Sequence, residues 1–251
     1  FDGVEGGSMR WATQEMFAEP YNPYSGSNWT FDHGIYGMTM GNDLMYDPFT
    51  GLTWPLHQER AEVTVVEGLA VGKTLDWVDL DFAAEITVPE ETWVDWDPVA
   101  QKFITAGEKF PEGLTAKRKT VAYYPADLYE TIKWHDGSAF SIADVVMNMI
   151  FTHDRAKPES AVYDESYVPL YEAFMLTFKG WNIISTDPLV VEVYNDTVLT
   201  DAELLGFGVW PWWNLGEASW HNTAIANMVE AAGEGAYSID KAEPAGIEQI
   251  S

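Results

Sequence analysis

Five histidines, His33, His57, His135, His153 and His221, are the first side chains to weigh for chemistry. No two stand at the one-turn helical spacing that presents a pair of imidazoles to a metal. Each is therefore assigned to the surface or the framework. The chain has no cysteine, which removes thiolate ligands, Cys nucleophiles and disulfides and suits an exported bacterial protein. No Gly-x-Ser-x-Gly elbow occurs. Gly68-Leu69-Ala70-Val71-Gly72-Lys73-Thr74 comes near a phosphate-binding loop but has three residues between its glycines where the motif needs four. It reads as a turn between strands. Gly206-Phe207-Gly208 and Gly233-Glu234-Gly235 lack the third glycine of a dinucleotide fingerprint.

Acidic side chains offer more material but little pattern. Asp76, Asp79 and Asp81 could align oxygens along a strand toward calcium. The EF-hand glycine and terminal glutamate are missing, so a solvated acidic face is the preferred reading. Paired carboxylates for glycoside hydrolysis act only at a defined separation in space, which a sequence does not give. Neither metal nor cofactor is expected. The indoles are more suggestive. Trp210-Pro211-Trp212-Trp213, with Trp220 after it, puts four tryptophans in eleven positions. Indole faces stack on sugar rings or peptide side chains, making Trp210, Trp212 and Trp213 candidate ligand contacts. Core filling, or an interface with a neighbouring lobe, is the competing reading.

Composition narrows the partners. The 251 residues carry 13 Lys plus Arg against 40 Asp plus Glu, a formal charge of −27. Such a molecule repels phosphate backbones and anionic membrane surfaces, which excludes nucleic acid and direct membrane adsorption. With 47 % hydrophobic residues, including 12 each of Trp, Tyr and Phe, it is nonetheless a folding sequence. No stretch has the length of a membrane-spanning helix. The opening Phe1-Asp2-Gly3-Val4 has neither an initiator Met nor a basic-then-apolar leader, so a signal peptide or lipid anchor is expected to have been removed. The final Glu248-Gln249-Ile250-Ser251 comes just after the start of a strand pattern and is expected to be a cut.

The elements that must position these residues alternate irregularly. Strands are predicted over 8–17, 62–66, 85–88, 120–124 and 189–194, from β-branched runs bounded by Gly, Pro or Asn-Asp. A turn is predicted over 47–51 and a short extended piece over 131–134. Weak helical character is assigned to 31–44, and a helix is expected to begin after Pro98 within 92–103. Ser141, with Asp144 three residues on, forms a capping box ahead of Ile142, Val145, Val146, Met149 and Ile150 on one helical face. A helix over 220–232 places Ile225, Met228 and Val229 on one face and stops at Gly233. The mixture indicates an α+β, or irregular α/β, architecture.

One stretch carries a resemblance. Lys133-Trp134-His135-Asp136-Gly137-Ser138-Ala139-Phe140-Ser141-Ile142-Ala143-Asp144-Val145-Val146 is similar to a signature of the family 5 extracellular solute-binding proteins, the oligopeptide and dipeptide receptors of bacterial ABC importers. That signature runs Trp-His-Asp-Gly, two residues, an aromatic, Ser or Thr, two residues, Asp-Val. Tyr21-Asn22-Pro23, Asp43-Leu44-Met45-Tyr46-Asp47 and the run 185–193 resemble further segments of the family, so the likeness covers about positions 19 to 195.

The resemblance implies a type II periplasmic-binding-protein-like fold that closes on its ligand by a hinge. The expected division is a first-lobe strand and ligand-side loop over 1–30, an inserted small lobe over 31–205, and a return toward the first lobe over 206–251. Family members are usually longer, so the chain is expected to be a fragment. By analogy with peptide-binding relatives, the loop Tyr24, Ser25, Gly26, Ser27, Asn28 and Trp29 would approach the ligand; an ordinary surface turn is the alternative. Trp134, His135, Asp136, Gly137, Ser141 and Asp144 take a structural role, as a rigid strand–turn–helix corner. The implied function is non-enzymatic: capture of a peptide or oligosaccharide and delivery to ABC permease subunits. The implied location is periplasmic or extracellular, either free or as a cell-surface lipoprotein. The competing functions are a secreted carbohydrate-active enzyme or carbohydrate-binding module using the Trp-rich surface, and a calcium-stabilised adhesion module.

Overall fold

The computed structural model describes Tyr24, residues 41–208 and residues 218–250. Two short strands, β1 (Leu44–Tyr46) and β2 (Thr53–Pro55), form a separate antiparallel hairpin. Its turn is built by Asp47, whose carboxylate accepts from the Phe49 N–H and the Thr50 hydroxyl, and by Gly51 at φ 72°. The expected turn over 47–51 is thus present. Of the weak helix expected over 31–44, positions 31–40 lie outside the described residues, while 41–43 are irregular and Leu44 opens β1.

Strands β3 (Arg60–Val66), β4 (Val78–Ala83), β6 (Trp93–Asp97), β7 (Lys102–Thr105), β9 (Arg118–Tyr123), β10 (Phe178–Thr186) and β11 (Leu189–Asn195) make a seven-stranded sheet in the order β4-β3-β9-β11-β10-β6-β7. Only β3 and β4 run parallel, joined by the 67–77 crossover that contains the near-miss glycine loop. The remaining short strands, β5 (Ile86–Thr87) and β8 (Thr115–Ala116), pair with each other. The alternation of β3 explains its place: Ala61, Val63 and Val65 are buried while their neighbours are half-exposed. Asp79 and Asp81 lie exposed on edge strand β4.

Helices α1 (Ala106–Lys109), α2 (Leu128–Thr131), α3 (Ile142–Asp154), α4 (Val168–Met175), α5 (Ala202–Leu205), α6 (Trp220–Ala232) and α7 (Ile239–Ala245) complete the mixed α/β architecture, with a 3-10 turn at Glu165–Tyr167. The main core joins Val145 and Met149 of α3 and Phe140 to Ala122, Val191, Val193, Phe178 and Trp181 of the sheet. A second cluster packs Ala202 and Leu205 of α5 onto Ala61, Val63, Val65 and Val78.

Two expectations are corrected, and the helix over 220–232 is present with its apolar face turned outward. Positions 92–103 form the β6–β7 hairpin and not a helix. Asp97 Oδ1 accepts the Val99 and Ala100 N–H groups, turning the chain at Pro98, and Trp93 stacks on Phe103 with ring centroids 4.1 Å apart. Thr131 ends a short helix, so the extended backbone begins only at Ile132. In α6 the expected apolar face is the outer one: Ile225 is 57 % and Met228 72 % exposed. The buried side carries Thr223, Ala226 and Glu230, because its polar groups are matched. Glu230 accepts from the Tyr237 N–H at 3.0 Å and Lys241 Nζ at 2.6 Å. The predicted strand over 8–17 lies outside the described residues.

Candidate functional site

The 133–146 signature folds as one corner. Trp134 N–H donates to the Ser138 carbonyl and Gly137 N–H to the Trp134 carbonyl, both at 2.9 Å, closing a tight turn. Gly137 sits at φ 87°, a left-handed conformation that side chains resist, with open space where a Cβ would stand. Asp136 Oδ1 accepts the Ser138 hydroxyl at 2.6 Å and its N–H at 2.9 Å. These bonds, the hydroxyl foremost, hold the exposed Asp136 carboxyl below its usual range. His135 is exposed at the tip.

Ser141 then caps α3, and Asp144 closes the capping box. Asp144 is buried at 2 % exposure and is saturated by donors. Its Oδ2 accepts the Ser141 N–H at 2.7 Å and the Ser141 hydroxyl at 3.1 Å. Its Oδ1 accepts the Trp134 indole at 3.1 Å and the Trp220 N–H at 2.8 Å. One carboxylate thus serves the first turns of two helices, α3 and α6, whose N–H groups have no partner within the helix. Beside it, Ser219 Oγ and His221 Nε2 are 3.0 Å apart, and His221 approaches Asp136 at 3.6 Å. The corner therefore sets where α6 begins. With both oxygens filled, Asp144 has no free lone pair for proton transfer, and the arrangement is a scaffold.

A second polar knot went unseen in the sequence. Asp95 accepts Lys109 at 2.6 Å, Lys157 at 2.7 Å, the Trp96 N–H at 2.8 Å and the Tyr171 hydroxyl at 3.2 Å. Burial alone would raise its carboxyl, but the two lysines and the N–H outweigh it and hold the group well below the usual carboxylate range. His153 Nδ1 lies 3.1 Å from the same Tyr171 oxygen. Since that hydroxyl donates to Asp95, Nδ1 must carry the hydrogen, leaving the lone pair on Nε2. Burial pushes the His153 imidazole down to about 3, with Asp95 opposing. The Asp-Tyr-His order has the look of a relay, yet His153 is fully enclosed by Tyr171, Phe174, Phe178 and Trp181. A substrate has no access to it.

Among the expected ligand contacts, Tyr24 is buried. Its ring lies 4.8 Å from that of Phe151 and 4.9 Å from that of Tyr237, with the Arg155 guanidinium 5.0 Å from its centroid. Its hydroxyl donates to Asn227 Oδ1 at 2.6 Å, which ties it to α6. Ser25, Gly26, Ser27, Asn28, Trp29, Trp210, Trp212 and Trp213 lie outside the described residues. Other aromatic side chains are exposed: Trp54, paired across the hairpin with Met45, lies on one face of β1–β2 and Tyr46 on the other, with Phe49 (93 % exposed) at the turn. Among the described residues no group of three or more His, Cys, Asp or Glu side chains is placed to hold a metal ion, and no helix is long and apolar enough to cross a membrane.

No family model and no curated protein matches the chain.

Proposed function

We propose that this chain is a solute-binding component of a bacterial ABC importer, with a type II periplasmic-binding-protein-like fold and a peptide or similar small organic solute as ligand. The observation that carries the reading is the 133–146 signature, whose residues all serve one corner. Trp134, Ser141 and Asp144 join the turn to α3 and α6 through a single carboxylate. A receptor that works by lobe closure needs rigid corners between moving parts, and its mechanism has no covalent step. Backbone and side-chain hydrogen bonds fix the ligand's polar ends, and the closed form docks on the permease in the periplasm or at the cell surface.

The exposed Tyr46, Phe49 and Trp54 favour a second reading, carbohydrate binding, because flat aromatic faces stack on sugar rings. A thermal-shift panel of di- to pentapeptides and of cello- and xylo-oligosaccharides separates the two. A ligand that binds only the native state raises the melting temperature by mass action. A saturable rise with peptides, retained in Trp54→Ala, supports the receptor. A rise with sugars alone, lost in Trp54→Ala, replaces it with the second reading.

A further inference from the structure

Three donors converge on one oxygen of Asp43. Oδ2 accepts Gln58 Nε2 at 2.7 Å, the Tyr124 hydroxyl at 3.0 Å and the Gly208 N–H at 3.1 Å. The other oxygen, Oδ1, is buried and accepts nothing from the described residues, as is the Gln58 carbonyl oxygen Oε1. Two orphaned acceptors therefore sit on two side chains that are already joined. An ionised Asp43 leaves both buried acceptors without a donor from the protein, which is unfavourable. A carboxylic acid removes the conflict: O–H on Oδ1 donates to Oε1 while Oδ2 keeps the bond from Nε2, closing an acid–amide ring.

The location gives the ring its leverage. Asp43 immediately precedes β1, and its backbone carbonyl accepts the Leu56 N–H at 2.9 Å and the His57 N–H at 3.3 Å. Tyr124 comes directly after central strand β9, and a Cβ on Gly208 would stand 2.7 Å from both Ala122 Cβ and Tyr124 Oη. The pair is thus where hairpin, sheet and the 208 chain meet.

We propose that Asp43 and Gln58 form a proton-gated latch: a proton taken from water onto Oδ1 closes the acid–amide ring and clasps the two ends of the β1–β2 hairpin together, and its return to water opens the clasp. The facing groups permit this. From the hairpin side these are Gln58 and the neighbouring His57, whose imidazole is pushed down by burial. From β9 it is Tyr124, whose hydroxyl burial pushes far up, so that it stays a donor. From the 208 chain it is a backbone N–H. Burial likewise pushes the Asp43 carboxyl up to about 6, against the three donors. The latch stands apart from either reading of the ligand, but it governs the strands that carry Tyr46 and Trp54.

The test uses the whole chain, carbon-13 labelled, with the Asp43 carboxyl resonance assigned by its loss in Asp43→Asn. The resonance should be that of a neutral acid near pH 5 and shift with a midpoint near 6. Amide exchange over 44–57, corrected for intrinsic rates, should quicken roughly tenfold between pH 5 and 7 while β9 and β11 hold. Asp43→Asn should abolish that change, because an amide donates to Oε1 and accepts from Nε2 at any pH. A carboxylate already ionised at pH 5, or the same quickening in Asp43→Asn, overturns the latch. Should that variant fail to fold, Gln58→Leu decides: the Asp43 midpoint must move and 44–57 must lose protection at pH 5. An unmoved midpoint with protection intact overturns the proposal.

Discussion

Asp144 and Asp43 are both withdrawn from water, and each ties together stretches of chain far apart in sequence. Their hydrogen bonds are distributed differently. Asp144 receives two donors on each oxygen, so its acceptors are all in use. Asp43 receives three on one oxygen and none on the other, and its nearest partner offers an idle acceptor. The lesson is that two carboxylates buried alike differ in whether their hydrogen bonds are complete, and that depends on where the donors are placed. Asp144 is a permanent fastener and Asp43 a conditional one.

The sharpest way to break this contrast is to make one substitution at both places. Asp144→Asn puts an N–H₂ where two donors point, and should cost about 3 kcal/mol in urea unfolding, with Asp144→Ala costing about 4 kcal/mol. Asp43→Asn should be near neutral below pH 3.8 and increasingly stabilising as pH rises to about 6. Equal losses at the two positions would show that both carboxylates are simple charged fasteners.

The next effect lies in the pH dependence. The Asp43 carboxyl is raised from 3.8 to about 6 in the folded state, so the folded chain holds the proton more tightly. That contribution is present below pH 3.8 and is lost as pH rises to about 6, by about 3 kcal/mol in total. His153 runs the other way. Its imidazole is lowered from 6.5 to about 3, so its contribution is present above pH 6.5 and is lost as pH falls. The wild-type curve sums the two slopes, and the difference between wild type and Asp43→Asn isolates the first. A difference that stays flat from pH 4 to 7 would remove Asp43 from the titrating groups.

Much of the permanent fastener was legible and almost none of the conditional one. The turn chemistry of Asp136-Gly137, the Ser141–Asp144 capping box and the Gly233 stop of α6 are local, so spacing along the chain reveals them. Asp144's bond to Trp220 spans 76 positions and leaves no local mark. Asp43, Gln58, Tyr124 and Gly208 are likewise gathered from four places, and nothing in the local pattern around any of them marks that they meet. The 92–103 hairpin was missed because Trp93 on Phe103, a cross-strand contact, outweighs a proline that suits a helix start. The apolar face of α6 points outward because Glu230 and Asn227 find partners inside, on α7 and Tyr24. Hydrophobic periodicity sees side chains and not the partners that make a polar face worth burying.

The smallest expected effects come from a pair of glycines that separates conformation from space. Gly208→Ala meets Ala122 Cβ and Tyr124 Oη at 2.7 Å and Asp43 Oδ2 at 3.1 Å, so the latch must open to admit it. It should cost about 2 kcal/mol by overpacking and should flatten the Asp43 titration. Gly137→Ala meets nothing but must hold φ at 87°, which should cost about 1 kcal/mol and leave the titration as it was. Carboxyl resonances tracked through pH in both variants read the two outcomes directly. A titration altered by Gly137→Ala would mean that the corner and the latch communicate, and that the division between permanent and conditional fasteners is a single coupled unit.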